Sequence, residues 1–143
     1  MTIAILLMPI LEAFSHPAFG GAEAVALLGE PVRKAERNWE LAPRNREFSE
    51  VELVFEDLPA GKHLLTTIRI RLRNPPVVSL EEIRADFGPS CRWLPSTGPQ
   101  RPRYLAFDHN SGALRETVML LAEFPRDESK LVISSMLVRR YYP

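Results

Sequence analysis

Residues 79–89 read SLEEIRADFGP and residues 20–31 read GGAEAVALLGEP. These two stretches decide the fold. In the first, Ser79 stands where a helix needs a cap and Glu82, three residues on, completes a capping box. Gly88 followed by Pro89 ends the helix. Leu80, Ile83 and Phe87 recur at i, i+3 and i+7 as one apolar stripe, which leaves Glu81, Arg84 and Asp86 towards water. Sliding back 59 positions sets Gly20 on Ser79, Glu23 on Glu82, Ala26 on Ala85 and Gly29 on Gly88. The same punctuation therefore predicts a second short helix, with glycine as the weaker cap, burying Val25 and Leu28.

Each helix is followed by strand-like sequence. ELVFEDLPAGKHLLTTIRIRLR (52–73) and MLLAEFPRDESKLVISSMLVRR (119–140) both read strand, polar turn, strand. Sliding by 66 superposes Pro59 on Pro125, Leu65 on Leu131 and Arg73 on Arg139. The difference between the two offsets is taken up by PSTGPQRP at 95–102, a loop by composition. The expected fold is α+β: one domain over 1–143, made of two tandem units at 10–74 and 75–143. Each unit lays a short helix on an antiparallel sheet, and because neither buries its helix well alone, the two share one continuous sheet.

Strand alternation then assigns faces. In IRIRLR (68–73), Ile68, Ile70 and Leu72 lie on one face and Arg69, Arg71 and Arg73 on the other. With the turn centred near Lys62 and His63, Glu56 opposes Arg69 and Glu52 opposes Arg73, giving a salt-bridged outer face. Carried across by 66, the register puts Met119, Leu121, Met136 and Val138 under the helix. The opposite face still holds Val118, Leu120, Ile133 and Leu137, so something must cover it. Three covers are open: the apolar residues 3–11, a second copy of the chain in a homodimer, or a partner protein.

The opening MTIAILLMPILEAF is too short to span a bilayer and is interrupted by Glu12. It lacks a basic n-region, so it reads as a buried element with a short helix starting at Pro9, and the protein as cytoplasmic. Read instead as a signal peptide, residues 1 to about 15 place the protein in the periplasm or outside the cell. No integral membrane segment is expected. Eighteen basic residues balance eighteen acidic ones, so there is no field to attract nucleic acid.

Signatures of catalysis are missing: no GxGxxG, Walker loop, HExxH, CxxC or GxSxG occurs. No cofactor or metal is expected, and the single Cys91 reads as a small buried hydrophobe. DHNSG at 108–112 sets Asp108 beside His109, with Ser111 or Cys91 as conceivable nucleophiles, but adjacent residues point apart and the stretch reads as a turn. It leaves a small hydrolase or ligand site near His109 as an alternative. Trp39 and Trp93, at strand starts, suit the edge of a core, while Tyr104 and Phe107 lie on opposite faces of one strand. Tyr, Trp and Arg anchor protein interfaces, which makes Arg69, Arg71, Trp93 and Tyr104 the candidate binding residues.

A capped helix SLEEIRADFGP, then RYLAF at 103–107, then a long hairpin, resembles the module of the SmpA/OmlA family of small outer-membrane-assembly lipoproteins and of the β-lactamase inhibitory proteins, the latter with two units in tandem. The resemblance implies a non-enzymatic binding protein whose concave sheet or loops grip another protein, and the chain reads as a protein-binding module that acts by steric occlusion through a sheet face, as an inhibitor or immunity-type protein does. This chain lacks a lipobox cysteine and paired cysteines, so neither the lipid anchor nor the disulfides carry over.

Overall fold

The computed structural model describes residues 3–59, 61–95, 102–110, 112–123, 125 and 127–143. The expected loop at 95–102 lies outside them at 96–101, as does Ser111. Helices α2 (Gly21–Leu28) and α3 (Leu80–Phe87) form where the punctuation placed them. Ser79 Oγ accepts from the Glu82 N–H at 3.0 Å, and Glu23 Oε2 accepts from the Gly20 N–H at 3.2 Å. At the far ends, Gly29 and Gly88 donate their N–H groups to the carbonyls of Val25 and Arg84. Gly29 holds φ at +146°, and a Cβ there would meet the Ala42 carbonyl oxygen at 1.8 Å, so the stop admits glycine alone. Leu28 is buried as expected, but Ala24 rather than Val25 is its fully buried neighbour on α2.

The opening helix α1 (Ile3–Phe14) starts six residues earlier than expected and runs through Pro9. A proline inside a helix costs one backbone hydrogen bond. Burial of Ile3, Leu6, Leu7, Ile10, Leu11 and Phe14 outweighs that loss, so packing and not propensity holds α1 together.

The strands are β1 (Pro31–Lys34), β2 (Asn38–Leu41), β3 (Phe48–Leu58), β4 (Lys62–Leu72), β5 (Val77–Val78), β6 (Arg92–Trp93), β7 (Arg103–His109), β8 (Arg115–Glu123) and β9 (Leu131–Tyr141). They form one antiparallel sheet in the order β1-β2-β3-β4-β9-β8-β7-β6, with β5 also pairing β9, and the class is α+β. At its centre Ile68 opposes Val138 and Ile70 opposes Met136. The buried side chains of all three helices join these residues, Leu53, Phe55, Leu105, Phe107 and others in a single core cluster. Two aromatic pairs mark its flanks: Trp39 tilted against Phe55 near α2, and Phe87 of α3 stacked on Phe107.

Two expectations of register need correction. In the first hairpin Leu58 pairs with Lys62, and Gly61 takes φ +74° and donates to the Leu58 carbonyl. Glu52 therefore opposes Arg69 and Glu50 opposes Arg71, while Glu56 opposes Leu64. Glu56 instead holds Arg139 of β9 through two hydrogen bonds of 2.8 and 3.0 Å.

In the second hairpin, Val118, Leu120 and Ile133 face the core and are fully buried, whereas Met119, Leu121 and Leu137 point the other way. The expected apolar interface of Val118, Leu120, Ile133 and Leu137 is therefore not a surface, because three of its four members are core. The reason is a slip of one. The inward residues of β3 are odd-numbered, as Leu53 and Phe55, and those of β8 even-numbered, as Val118 and Leu120, so no even offset such as 66 matches the two strands, and a slip of one turns a strand inside out. In β4 and β9 the inward Ile68, Ile70, Met136 and Val138 are all even-numbered, so Met136 and Val138 keep the expected side. Each hairpin also carries an extra residue at a bulge: Thr66 lies unpaired between Leu65 and Thr67, and Ser134 between Ile133 and Ser135.

Arg140, in β9, is the largest fully buried side chain. Its Nε donates to the Leu65 carbonyl at 3.0 Å, and its Nη1 donates to the carbonyls of Phe14 and His16 at 3.1 and 2.9 Å. Its Nη2 donates to the Phe19 carbonyl, and the guanidinium lies over the rings of Phe14 and Tyr142. One cation thus satisfies the carbonyls left over where α1 ends and ties that end to the sheet.

Candidate functional site

The face of the sheet opposite the helices contributes no side chain to the core cluster. Its composition changes from strand to strand. On the β1–β4 side acidic and basic side chains alternate across strands: Glu40 reaches Arg33 at 3.9 Å, Glu50 reaches Arg71 at 3.8 Å and Glu52 reaches Arg69 at 3.4 Å. On the β9–β7 side the same face is apolar, with Leu137 opposite Met119 and Leu121 opposite Tyr104. A groove of about 620 Å³ joins the two zones, lined by Val32, Glu40, Glu50, Glu52, Arg69, Arg71, Tyr104, Ser135 and Leu137 among others. Tyr104 belongs to β7 and Val32 to β1, so the groove crosses the interior strands of the sheet.

Arg69 and Arg71 keep capacity to spare. Each makes a single carboxylate contact longer than 3.3 Å, and both side chains are more than half exposed. Such exposed pairs contribute about 0–1 kcal/mol each, so exchanging an internal carboxylate for one offered from outside costs little. A guanidinium carries five N–H donors and these contacts use few of them. The bidentate Arg139–Glu56 pair is different: its hydrogen bonds hold the Glu56 carboxyl below the usual carboxylate range.

Of the four anticipated binding residues, the groove brings together Arg69, Arg71 and Tyr104. Tyr104 is 39% exposed. Trp93 stands elsewhere: it opposes Leu105, packs against the core and lies under the Arg103 guanidinium, with ring centroid 5.2 Å away. Alternation could have shown this, since Trp93 lies on the Leu105 side of the sheet and Tyr104 on the other. Leu137, anticipated as an interface residue, does line the groove. The wall that sequence reasoning missed is the β1–β2 hairpin with Val32, 68% exposed, and Glu40. VRK and NWEL are too short to show a period, which is why that signal was weak.

Around His109 the side chains divide between the two faces of the sheet. Asp108 accepts a hydrogen bond from Thr117 Oγ1 at 2.9 Å on the outer face, whereas His109 opposes Glu116 on the core side. Cys91 is buried and burial raises its thiol pKa, which disfavours the thiolate. Among the described residues no three His, Cys, Asp or Glu side chains gather as a metal site would require. No helix among them is long and apolar enough to cross a membrane.

Glu116 is fully buried, opposes Arg140 across the β8–β9 ladder, and has no hydrogen-bond partner for either carboxylate oxygen. Burial pushes its pKa up from 4.5 to about 8, against the opposing pull of Arg140. The folded chain thus holds a proton that the unfolded chain releases between those values, so the contribution of Glu116 to stability is fully present below pH 4.5 and is lost as pH rises towards 8. The expected slope reaches about 1.4 kcal/mol per pH unit. Urea unfolding at a series of pH values checks it, with Glu116→Gln expected to flatten the curve. An equally steep curve in the variant would assign the proton elsewhere.

Comparison with protein-family models, curated proteins and solved structures gives no match. The fold and the groove therefore stand on their own geometry.

Proposed function

We propose that the chain is a non-enzymatic protein-binding module whose uncovered sheet face grips a partner and blocks it by steric occlusion, as an inhibitor or immunity-type protein does. One observation carries the reading: a groove of about 620 Å³ on the face opposite the helices, in which Arg69, Arg71 and Tyr104 stand beside the apolar Leu137. Arg and Tyr are the side chains that most often dominate protein interfaces, and here they flank an apolar strip on a rigid scaffold. The groove lies along the sheet face, with charged side chains on one side and apolar ones on the other. The same arrangement agrees with the resemblance to the SmpA/OmlA and β-lactamase inhibitory modules, and with reading the two halves as tandem copies. An α1 that supplies core side chains favours its retention in the mature protein.

The test is retention of lysate proteins by the immobilised chain and by an Arg69→Glu/Tyr104→Ala variant. Both are checked for native circular dichroism. A protein held by the first and lost from the second is the expected result, with a loss of at least tenfold, since truncating a central anchor costs about 2 kcal/mol or more. Equal retention by both removes the groove from the interface.

A further inference from the structure

His63 stands at the start of β4, opposite Asp57 and outside the groove lining, and both of its ring nitrogens are engaged. Nε2 is 2.8 Å from the Glu36 carbonyl oxygen, in the turn between β1 and β2, and Nδ1 is 2.8 Å from Asp57 Oδ1 on β3. Both partners are acceptors. A neutral imidazole has one N–H to give, and only the imidazolium can donate to both at once. The ring also stacks on Phe55 at 5.6 Å, and Phe55 in turn touches Trp39 of β2 at 4.7 Å. We propose that His63 is a pH-operated latch that fixes the β1–β2 hairpin, and so one wall of the groove, to the β3–β4 hairpin.

The hairpin has reason to depend on such a latch. β1 is an edge strand paired only with β2, and the tip at 35–37 is held by few other bonds: Ala35 N–H to the Asn38 carbonyl, and Phe55 N–H to the Arg37 carbonyl. The charged groups facing the ring are Asp57 from β3 and Glu36 from the tip, with Arg37 3.6 Å from the same Asp57 carboxylate. The hydrogen bond to Asp57 raises the His63 pKa above 6.5; partial burial opposes this, and the Glu36 carbonyl adds to the rise. The latch is therefore closed below pH 6.5 and opens as pH climbs through the raised value. On opening, one ring nitrogen turns a lone pair towards an acceptor and a hydrogen bond is lost.

The two walls of the groove would then part at the β1–β2 side, where Val32 and Glu40 stand. That consequence for binding rests on the reading of the groove as the binding face; the latch itself can be read without any partner. Amide exchange across residues 34–41, corrected for intrinsic rates, and the His63 ring resonance are followed together by NMR from acid to alkaline pH. Protection in the hairpin is expected to fall about fivefold as the ring loses its proton, the ratio set by one hydrogen bond of ordinary net strength. Asp57→Asn should move the ring titration and the protection step together to lower pH, and His63→Gln should abolish the step. Protection that stays constant while the wild-type ring titrates, or a step that persists in His63→Gln, overturns the latch and leaves the groove proposal untouched.

Discussion

Replacing Arg140 by methionine is expected to lower the unfolding free energy by about 2–6 kcal/mol, the cost of leaving two buried carbonyls without a donor. The change strands the carbonyls of Phe14 and Phe19, which now accept from the guanidinium, while those of His16 and Leu65 keep the Phe19 N–H and the Tyr142 hydroxyl as donors. Methionine fills the volume without replacing a single donor, and a buried carbonyl without a partner costs about 1–3 kcal/mol. It also removes the cation opposite Glu116, whose carboxyl is then pushed further towards its neutral form. Arg140→Lys separates charge from geometry. A lysine keeps the cation but has three donors on one nitrogen, which cannot reach carbonyls spread from β4 to the end of α1. It should fall between wild type and Arg140→Met in urea midpoint at unchanged slope. Identical midpoints for all three chains would mean that the carbonyls find other donors and that Arg140 clamps nothing.

Starting the chain at Gly20 should abolish the native fold. The deletion removes α1 and with it six buried apolar side chains. Burying a Leu, Ile or Phe contributes about 1.5–3 kcal/mol, so their sum reaches or exceeds the whole stability of an ordinary domain, about 5–15 kcal/mol. The surface so exposed includes the core-facing side of β9 and β8, and would drive association. The deleted chain is expected to elute as aggregate and to lose its cooperative thermal transition. A monomeric, cooperatively folding product would show that the sheet and the other two helices suffice, and would return α1 to the status of a dispensable leader.

The parts of the fold legible in the sequence are those fixed by local chemistry. Ser79, Glu82, Gly29 and Gly88 act within one helical turn, so their spacing alone placed α2 and α3. Alternation in 68–73 likewise placed Arg69 and Arg71 on the outer face. What failed was non-local. The closure of the first turn at Gly61 and the extra residues Thr66 and Ser134 shift pairing between distant segments, and no window of sequence reveals them. A slip of one was enough to send Val118 and Leu120 inward and Met119 outward. α1 was underestimated because Pro9 is a helix breaker by propensity, and propensity gives way when a whole apolar face is buried. The groove was half legible: its arginines and Tyr104 were found, while the β1–β2 wall and the true place of Trp93 needed the sheet order.

That sheet order bears on how the protein comes to be folded as it is made. β9 follows every other strand in the chain, yet it sits at the middle of the sheet between β4 and β8. While synthesis proceeds, β4 has an open edge bearing Ile68 and Ile70, and α1 waits with its last carbonyls unclaimed until Arg140 is made. Pairing of β4 with β9 joins residues about seventy positions apart, a long loop to close and a slow step for a small domain. In that interval any sheet that β1 to β4 form ends in an exposed strand edge, the kind of surface that invites pairing with the wrong neighbour. The residues most demanding of help during biogenesis are thus the earliest ones, and they are released from danger by the latest.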